Sequence, residues 1–324
     1  MQSLTRTLAA VAAMCITAGA MAQQYPNKPV KMIVPYPPGG PADVLARPLA
    51  EGLQKLWSGT PVLIENRPGA NAIIGTDYVA KQPGDGYTLL FANDPSLSSN
   101  QYLYAKLPYD PVKDFAPVAT VATTTLILLV PANPPIASFQ DLVAQARGKP
   151  GELTYGSIGP GSVTHLDAEA MASAAGVKLS HIPYKGTGEV VPALLAGHVS
   201  MALSAIGPSL PHIRSGKLKV LAIASAQRSP VLPDVPTFNE AGLPNFEARS
   251  WFALAAPIGT PRVIVERIAA DVRRVVDQPE YREKYVAGMG LEPLSLGPDQ
   301  FAAFLQQDRA KYAQRVKNAN VRLD

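Results

Sequence analysis

The chain has 324 residues, 47% of them hydrophobic, with 29 Lys+Arg against 25 Asp+Glu. The charges are dispersed with no basic run, which excludes the electrostatic footprint of a nucleic-acid binder or a membrane-surface helix. One cysteine excludes a disulfide framework and a cysteine-based metal site.

The first residues have the pattern of a secretory signal. Arg6 is the positive n-region, "LAAVAAMCITAGAMA" the apolar stretch and Ala20-Met21-Ala22 a small-x-small cleavage site, so the expected mature chain starts after Ala22 in the periplasm. The apolar run is shorter than the roughly 20 residues that span a bilayer. "AAMC" lacks the leucine and small residues of a lipoprotein site, and Cys15 leaves with the signal. What remains is nearly balanced in charge, and its length of about 300 residues suits two domains stabilised by buried apolar area.

From Lys31 strand-like and helix-like runs alternate: "KMIVPY", "ADVLARPLAEGLQKLW", "PVLIEN", "NAIIGTDYVAKQ" and "YTLLFAN". That βαβαβ order predicts parallel strands with helices on both faces and a ligand site beyond the carboxyl ends of the strands. "DFAPVATVATTTLILLVPANPP" carries no alternation and reads as a buried strand crossing into a second domain. A second α/β series runs from "SFQDLVAQARG" to "LKVLAIA", including a helix at "LPHIRSGK", and breaks at the Pro-rich "SPVLPDVPTFNEAGLPNFEARS". "WFALAAP" is a return strand. A helix with Pro261 in its first turn and a long C-terminal helix close the chain. The expected arrangement is domain I from residues 23–122 plus 250–324 and domain II from 123–249, two lobes joined by a pair of crossing strands on which a cleft opens and closes.

Two loops carry the expected binding chemistry. In "YPPGGPAD" Pro37 and Pro38 stiffen the chain after Tyr36, Gly39 and Gly40 allow close approach, and a helix starts at about Pro41, leaving backbone N–H groups for an anion. "TYGSIGPGSVTHL" repeats the device, with a strand ending at Ser157, glycines at 156, 159 and Gly161, and Ser162 as helix N-cap. Neither loop has the lysine of a phosphate loop or an acid suited to a ribose, so a carboxylate fits better than a nucleotide. Asp43 is placed to orient the first loop, or is simply an acid favoured by the helix dipole. Asp94 ends a strand facing the cleft and is a candidate rim residue, although an acid before proline is more often a helix cap. His165 lies one turn into the second-lobe helix, where it can donate to an anion, while His181, His198 and His212 lack ligand spacing. Tyr184 and Lys185 follow another strand end; Lys185 reads equally as a solvated charge.

"YPNKPVKMIVPYPPGGPAD", "LPYDPVKDFAPV", "YGSIGPGSVTHL", "HIPYKGTG", "PALLAGHV", "LPDVPTFNEAGLP" and "APIGTP" together resemble the Bug-type substrate-binding proteins of tripartite tricarboxylate transporters. The resemblance covers nearly the whole mature chain in order. It implies an α/β, two-lobed type II periplasmic binding fold, monomeric and without cofactor, that closes on a small carboxylate and delivers it to membrane permease subunits. It implies ligand contacts from Tyr36, Pro38, Gly39 and Gly40 with Asp43, and from Ser157, Gly161 and Ser162 with His165. Relatives resembling amino-acid binders carry an acid near the position of Ser204; here "LSAIGPS" is neutral, which points to a ligand without an amine. A sensor or adaptor could use the same cleft. A hydrolase built on Ser157 or Ser162 with His165 is the competing enzyme reading, but neither serine fits G-x-S-x-G and no acid is placed to orient the histidine.

Overall fold

The structure, a computed structural model, describes residues 25–133 and 136–323. The expected signal segment, with Arg6, Cys15 and the cleavage site after Ala22, lies outside the described residues. Among the described residues no helix is long and apolar enough to cross a membrane.

The first half builds a parallel three-stranded unit. Strand β1 (Val30–Val34) pairs in parallel with β2 (Val62–Asn66) on one side and β3 (Thr88–Asn93) on the other. Helix α1 (Pro41–Leu56) connects β1 to β2 and presents Leu45, Leu49 and Leu53, one turn apart and all fully buried, to the sheet. Gly52 sits on the same helix where any Cβ would strike Val275, so α1 packs close against α8 (Arg262–Val276). Helix α2 (Ile73–Ala80) starts later than the pattern "NAIIGTDYVAKQ" suggests, because Ala70, Asn71 and Ala72 all hold positive φ (45°, 50° and 70°). Left-handed backbone costs a residue with a side chain roughly 1 kcal/mol. A wide turn (Pro95–Ser99) and the short α3 (Asn100–Leu103) follow β3.

The chain then enters β4 (Phe115–Pro131), seventeen residues long. Its first part, Phe115 to Thr125, pairs antiparallel with β9 (Arg249–Pro257); Leu126 onward pairs with β7 (Met201–Ala205) and β8 (Leu218–Ile223). One strand therefore belongs to both sheets, which explains its lack of alternation: both faces are covered along its length. In the second lobe α4 (Phe139–Gly148), β5 (Thr154–Ser157), α5 (Val163–Ala175), β6 (Ser180–Pro183), α6 (Thr187–Leu195) and α7 (Ile206–Arg214) complete the sequence, with β5 parallel to β6 and β7. The strand path is β2-β1-β3-β9-β4-β7-β5-β6, with β10 (Glu292–Pro293) and β8 added on β4. Each lobe's sheet is sandwiched by two buried apolar clusters, so the molecule is a two-lobed α/β fold. Two boundaries differ slightly from the pattern. Pro261 caps α8 from outside because its ψ of 134° is extended, and α7 begins at Ile206, ahead of "LPHIRSGK".

The C-terminal helix α9 (Pro298–Ala319) ties the lobes together. Tyr312 and Val316 pack with Leu103 of the first lobe and Leu166 of α5. Arg315 Nη1 lies 2.5 Å from Asp167 Oδ1 on α5, and its Nη2 donates to the Glu247 carbonyl. On another edge, Gly207 at the start of α7 touches the Met289 carbonyl so closely that a Cβ there would collide with backbone.

Candidate functional site

A cleft of about 610 Å³ lies between the lobes, walled by the loop from Tyr36 to Ala42 on one side and by Ile158 with Ser162, Val163 and Thr164 on the other. Its floor is where β4 and β9 cross, at Thr124, Leu126, Ser250 and Phe252.

The first loop is braced from behind. Gly39, at φ +80°, donates its N–H to Asp43 Oδ2 at 2.9 Å. Arg47 Nε and Nη2 each reach Asp43 at 2.8 Å, and Asn66 Nδ2 bridges Asp43 Oδ1 and the Tyr36 carbonyl. Burial works to raise the Asp43 carboxyl, but the hydrogen bonds from Arg47, Gly39 and Asn66 outweigh it and hold its pKa below the ordinary value. Asn93 Nδ2 donates to the Tyr36 hydroxyl at 2.6 Å, fixing that ring at the cleft wall.

The second loop is satisfied almost wholly from within. Ile158 N–H donates to Thr164 Oγ1, Gly159 N–H to Ser157 Oγ, and Gly161 N–H to His165 Nδ1 at 2.9 Å. Ser162 Oγ accepts from His165 N–H, as an N-cap does, and donates to the Gly159 carbonyl. These bonds hold the glycine turn in shape and take its amides away from any ligand. The donors left over include amides at the starts of the two helices. Among the described residues the N–H groups of Gly40, Ala42, Val163 and Thr164 have no acceptor, and all four residues line the cleft. Two come from each lobe, at the positive ends of α1 and α5, where the helix dipoles favour negative charge.

Tyr36, Pro38, Gly39, Gly40, Ser162 and Ser204 stand on the cleft wall. Asp43, Ser157, Gly161, His165 and Tyr184 support it from behind instead of facing it. Asp94 departs most from the expected rim position. It is fully buried, and its carboxylate receives Ser250 Oγ, the Trp251 N–H at 3.3 Å and the Tyr312 hydroxyl at 3.0 Å. Burial, with Asp308 nearby, pushes its carboxyl above the ordinary range, so it joins α9 to β9 instead of meeting solute. Tyr184 packs into the core beside α6 while its N–H holds the Ser157 carbonyl at 2.9 Å; the next residue, Lys185, reaches the wall. Sequence reasoning missed Asn71, Thr124, Leu126, Ser250 and Phe252. Only Asn71 had a local signal, the turn-forming "PGAN"; the rest sit in or at the edge of the long strands β4 and β9, with no motif that marks them.

His181, which lacks ligand spacing in the sequence, has a structural role in the second loop. Its Nε2 lies 2.6 Å from Ser157 Oγ, and its ring stacks on His165 at 3.9 Å, with the Tyr155 ring 5.0 Å from His181 and 6.3 Å from His165 in the same cluster. Burial first, and the adjacent His181 second, push the His165 pKa down to about 4. The bond from Gly161 also requires a bare Nδ1, so the neutral ring with its proton on Nε2 is the working tautomer. A histidine pKa depressed on folding contributes stability above the unfolded value of about 6.5, lost as pH falls through the folded one. The expected result is a falling urea midpoint between pH 6.5 and 4 that flattens in His165→Asn, whose Oδ1 keeps an acceptor. An identical slope in both proteins would remove the histidine from this role.

A two-lobed α/β protein with its cleft at paired helix starts is a binding-protein fold, and comparison with known proteins agrees. The family described as tripartite tricarboxylate transporter family receptor matches residues 45–321. The protein BugT of Bordetella pertussis is 37% identical over 326 residues, covering 99% of each chain. Among solved structures, Rpa4515 of R. palustris with adipate superposes with TM-score 0.82 at 33% identity, over 92% of this chain and 99% of that one. MatC of Rhodopseudomonas palustris with bound malate gives TM-score 0.78 at 32% identity, over 90% and 100%. This chain belongs to the tripartite tricarboxylate transporter receptor family, in its Bug-type branch.

Proposed function

We propose that this chain is a periplasmic receptor that captures a small carboxylate lacking an amino group and presents it to the membrane permease subunits of a tripartite transporter. The observation that carries this reading is the set of four free amides from both lobes lining one cleft. Each lobe supplies only two of the four donors, so the acid is gripped by both helix starts when the lobes, residues 23–122 with 250–324 and residues 123–249, close about β4 and β9. Closure excludes water, and those charge-assisted bonds strengthen in the drier cleft. Among the described residues on the wall there is no carboxylate to pair an ammonium group, which disfavours amino acids.

Capture without turnover is favoured over hydrolysis because His165 is not poised as a base for either serine: its Nδ1 accepts the Gly161 N–H, Ser162 Oγ donates to the Gly159 carbonyl, and Ser157 Oγ pairs with His181 instead. Ser157 is fully buried, it stands behind the wall, and among the described residues no carboxylate hydrogen-bonds His181. The adipate and malate held by similar proteins support the choice of carboxylate as ligand class. A thermal-shift screen of the mature chain tests the reading, since a ligand that binds only the folded state raises the apparent stability. One or more mono- or dicarboxylates should raise Tm by several degrees while aspartate and glutamate do not; a larger shift with the amino acids than with their deaminated analogues would overturn it.

A further inference from the structure

The resemblance implies a ligand contact for Gly161, but its bare α-carbon faces a different partner. It holds φ +71°, and a Cβ there would stand 2.5 Å from Leu323 Cδ1 and 3.1 Å from Leu103 Cδ1. Close approach of another segment therefore requires the glycine, as does its left-handed backbone. That segment lies beyond α9. Asn320 caps the helix at φ 50° and ψ 39°, a left-handed stop that turns the chain off the helix axis. Val321 and Leu323 then pack on the apolar cluster of Leu103, Leu166, Tyr312 and Val316.

This cluster joins the two lobes. Leu103 belongs to α3 of the first lobe and Leu166 to α5 of the second. Leu323 is pinned on the first-lobe side, where its N–H donates to the Leu103 carbonyl at 2.9 Å, while its side chain rests on the second-lobe turn. Both ends of this link reach a cleft wall. On the first lobe Asn100 of α3 donates from Nδ2 to the Asn71 carbonyl at 2.8 Å, and its Oδ1 accepts from Asn71 Nδ2 at 2.9 Å. On the second lobe Gly161 directly precedes Ser162, the cap residue behind the free amides of Val163 and Thr164. Leu323 itself is not part of the cleft wall.

We propose that residues 320–323 are a strap that holds the lobes closed, with Leu323 as its clasp on Gly161. The lobes are connected through β4 and β9, and a rotation about these strands that widens the cleft carries the Gly161 turn away from Leu323. Burial of the leucine against that turn is gained only in the closed arrangement, so its loss shifts the population toward open molecules. The consequence for capture rests on the carboxylate reading above. An acid gripped by amides from both lobes binds the closed form, and its apparent affinity scales with the closed fraction. Leu323 sets that fraction without touching the ligand.

Small-angle scattering of the mature chain without added solute reads the hold on the lobes, and calorimetry with adipate and malate as probes reads its consequence. In Leu323→Ser the radius of gyration should rise. Both probe affinities should fall by one common factor, about 5- to 10-fold for exposing a partly buried leucine, because the strap touches neither probe. Leu323→Met keeps the side-chain volume and should stay near the wild type in both measurements. Arg322→Ser changes the exposed neighbour and should alter neither. Urea unfolding checks that each variant is folded, with Leu323→Ala standing in if the serine variant is not. An unchanged radius in Leu323→Ser overturns the proposal, even where stability falls, since that result assigns the leucine an ordinary packing role. An equal rise in Arg322→Ser, or a rise with unaltered affinity, overturns it too. If neither probe binds the wild type, the carboxylate reading loses support while the scattering comparison still decides the strap.

Discussion

Arg315→Met should lower the unfolding free energy by about 3–5 kcal/mol at pH 8, the usual result of stripping one partner from a buried ion pair. Arg315 and Asp167 are both buried, on α9 and α5, and their contact joins the two lobes at the helix that begins with the free amides of Val163 and Thr164. The pair is an uneasy one. Arg315 Nη1 is 2.5 Å from Asp167 Oδ1, yet neither Asp167 oxygen receives a well-aligned hydrogen bond. Burial therefore dominates and pushes the Asp167 carboxyl up to about 6, against the downward pull of Arg315. Loss of the cation raises it further, so the variant avoids a bare buried anion only by taking up a proton. An acid with a raised folded pKa loses stability as pH rises from its unfolded value of about 4 through the folded one. The penalty of Arg315→Met should accordingly shrink at pH 5, where a protonated Asp167 no longer needs the cation. Urea unfolding of both proteins at the two pH values measures this; a variant as stable as the wild type at pH 8 would show that the pair contributes nothing to holding the lobes together.

Val163→Pro should weaken carboxylate binding by about 10- to 100-fold while leaving the fold in place. Binding loses one hydrogen bond to a charged acceptor, typically about 1.5–3 kcal/mol. Folding loses little, because the Val163 N–H has no acceptor in the unliganded protein and the first helical position is where proline is best tolerated. The preceding residue is already suitable: Ser162 holds φ −66° and ψ 160°, the extended conformation that a following proline imposes. Unchanged affinity, with the variant folded by circular dichroism, would rule out the start of α5 as an acid-binding donor set. A collapse in stability would instead show that the Val163 side chain, half-buried against the second-lobe core, matters more than its amide.

The alternation of apolar runs, the helix start at Pro41, the strand end at Ser157 and the cap at Ser162 were all legible because each is local: a period, a proline, a hydroxyl before a helix. The site's donors were only half legible. Glycine richness pointed to the right turns, but which amides remain free depends on where His165 Nδ1 and Thr164 Oγ1 aim, and those bonds consume the turn's own N–H groups. Asp94 shows the opposite failure. A strand-end acid before proline suggests a cap or a rim position, whereas Tyr312 arrives from more than 200 residues away and draws the carboxylate inward. His181 has no spacing relation to His165; adjacent strands in register bring Tyr155 beside it and complete the stack.

By itself the sequence determined a two-part α/β chain, the family to which it belongs, and two glycine turns followed by helices that suit an anion, since periodicity and turn chemistry act between near neighbours. The tertiary structure alone decided which amides face the cleft and which side chains merely brace them. Those outcomes depend on burial and on partners brought together across strands and lobes, and neither burial nor long-range pairing is written in local spacing.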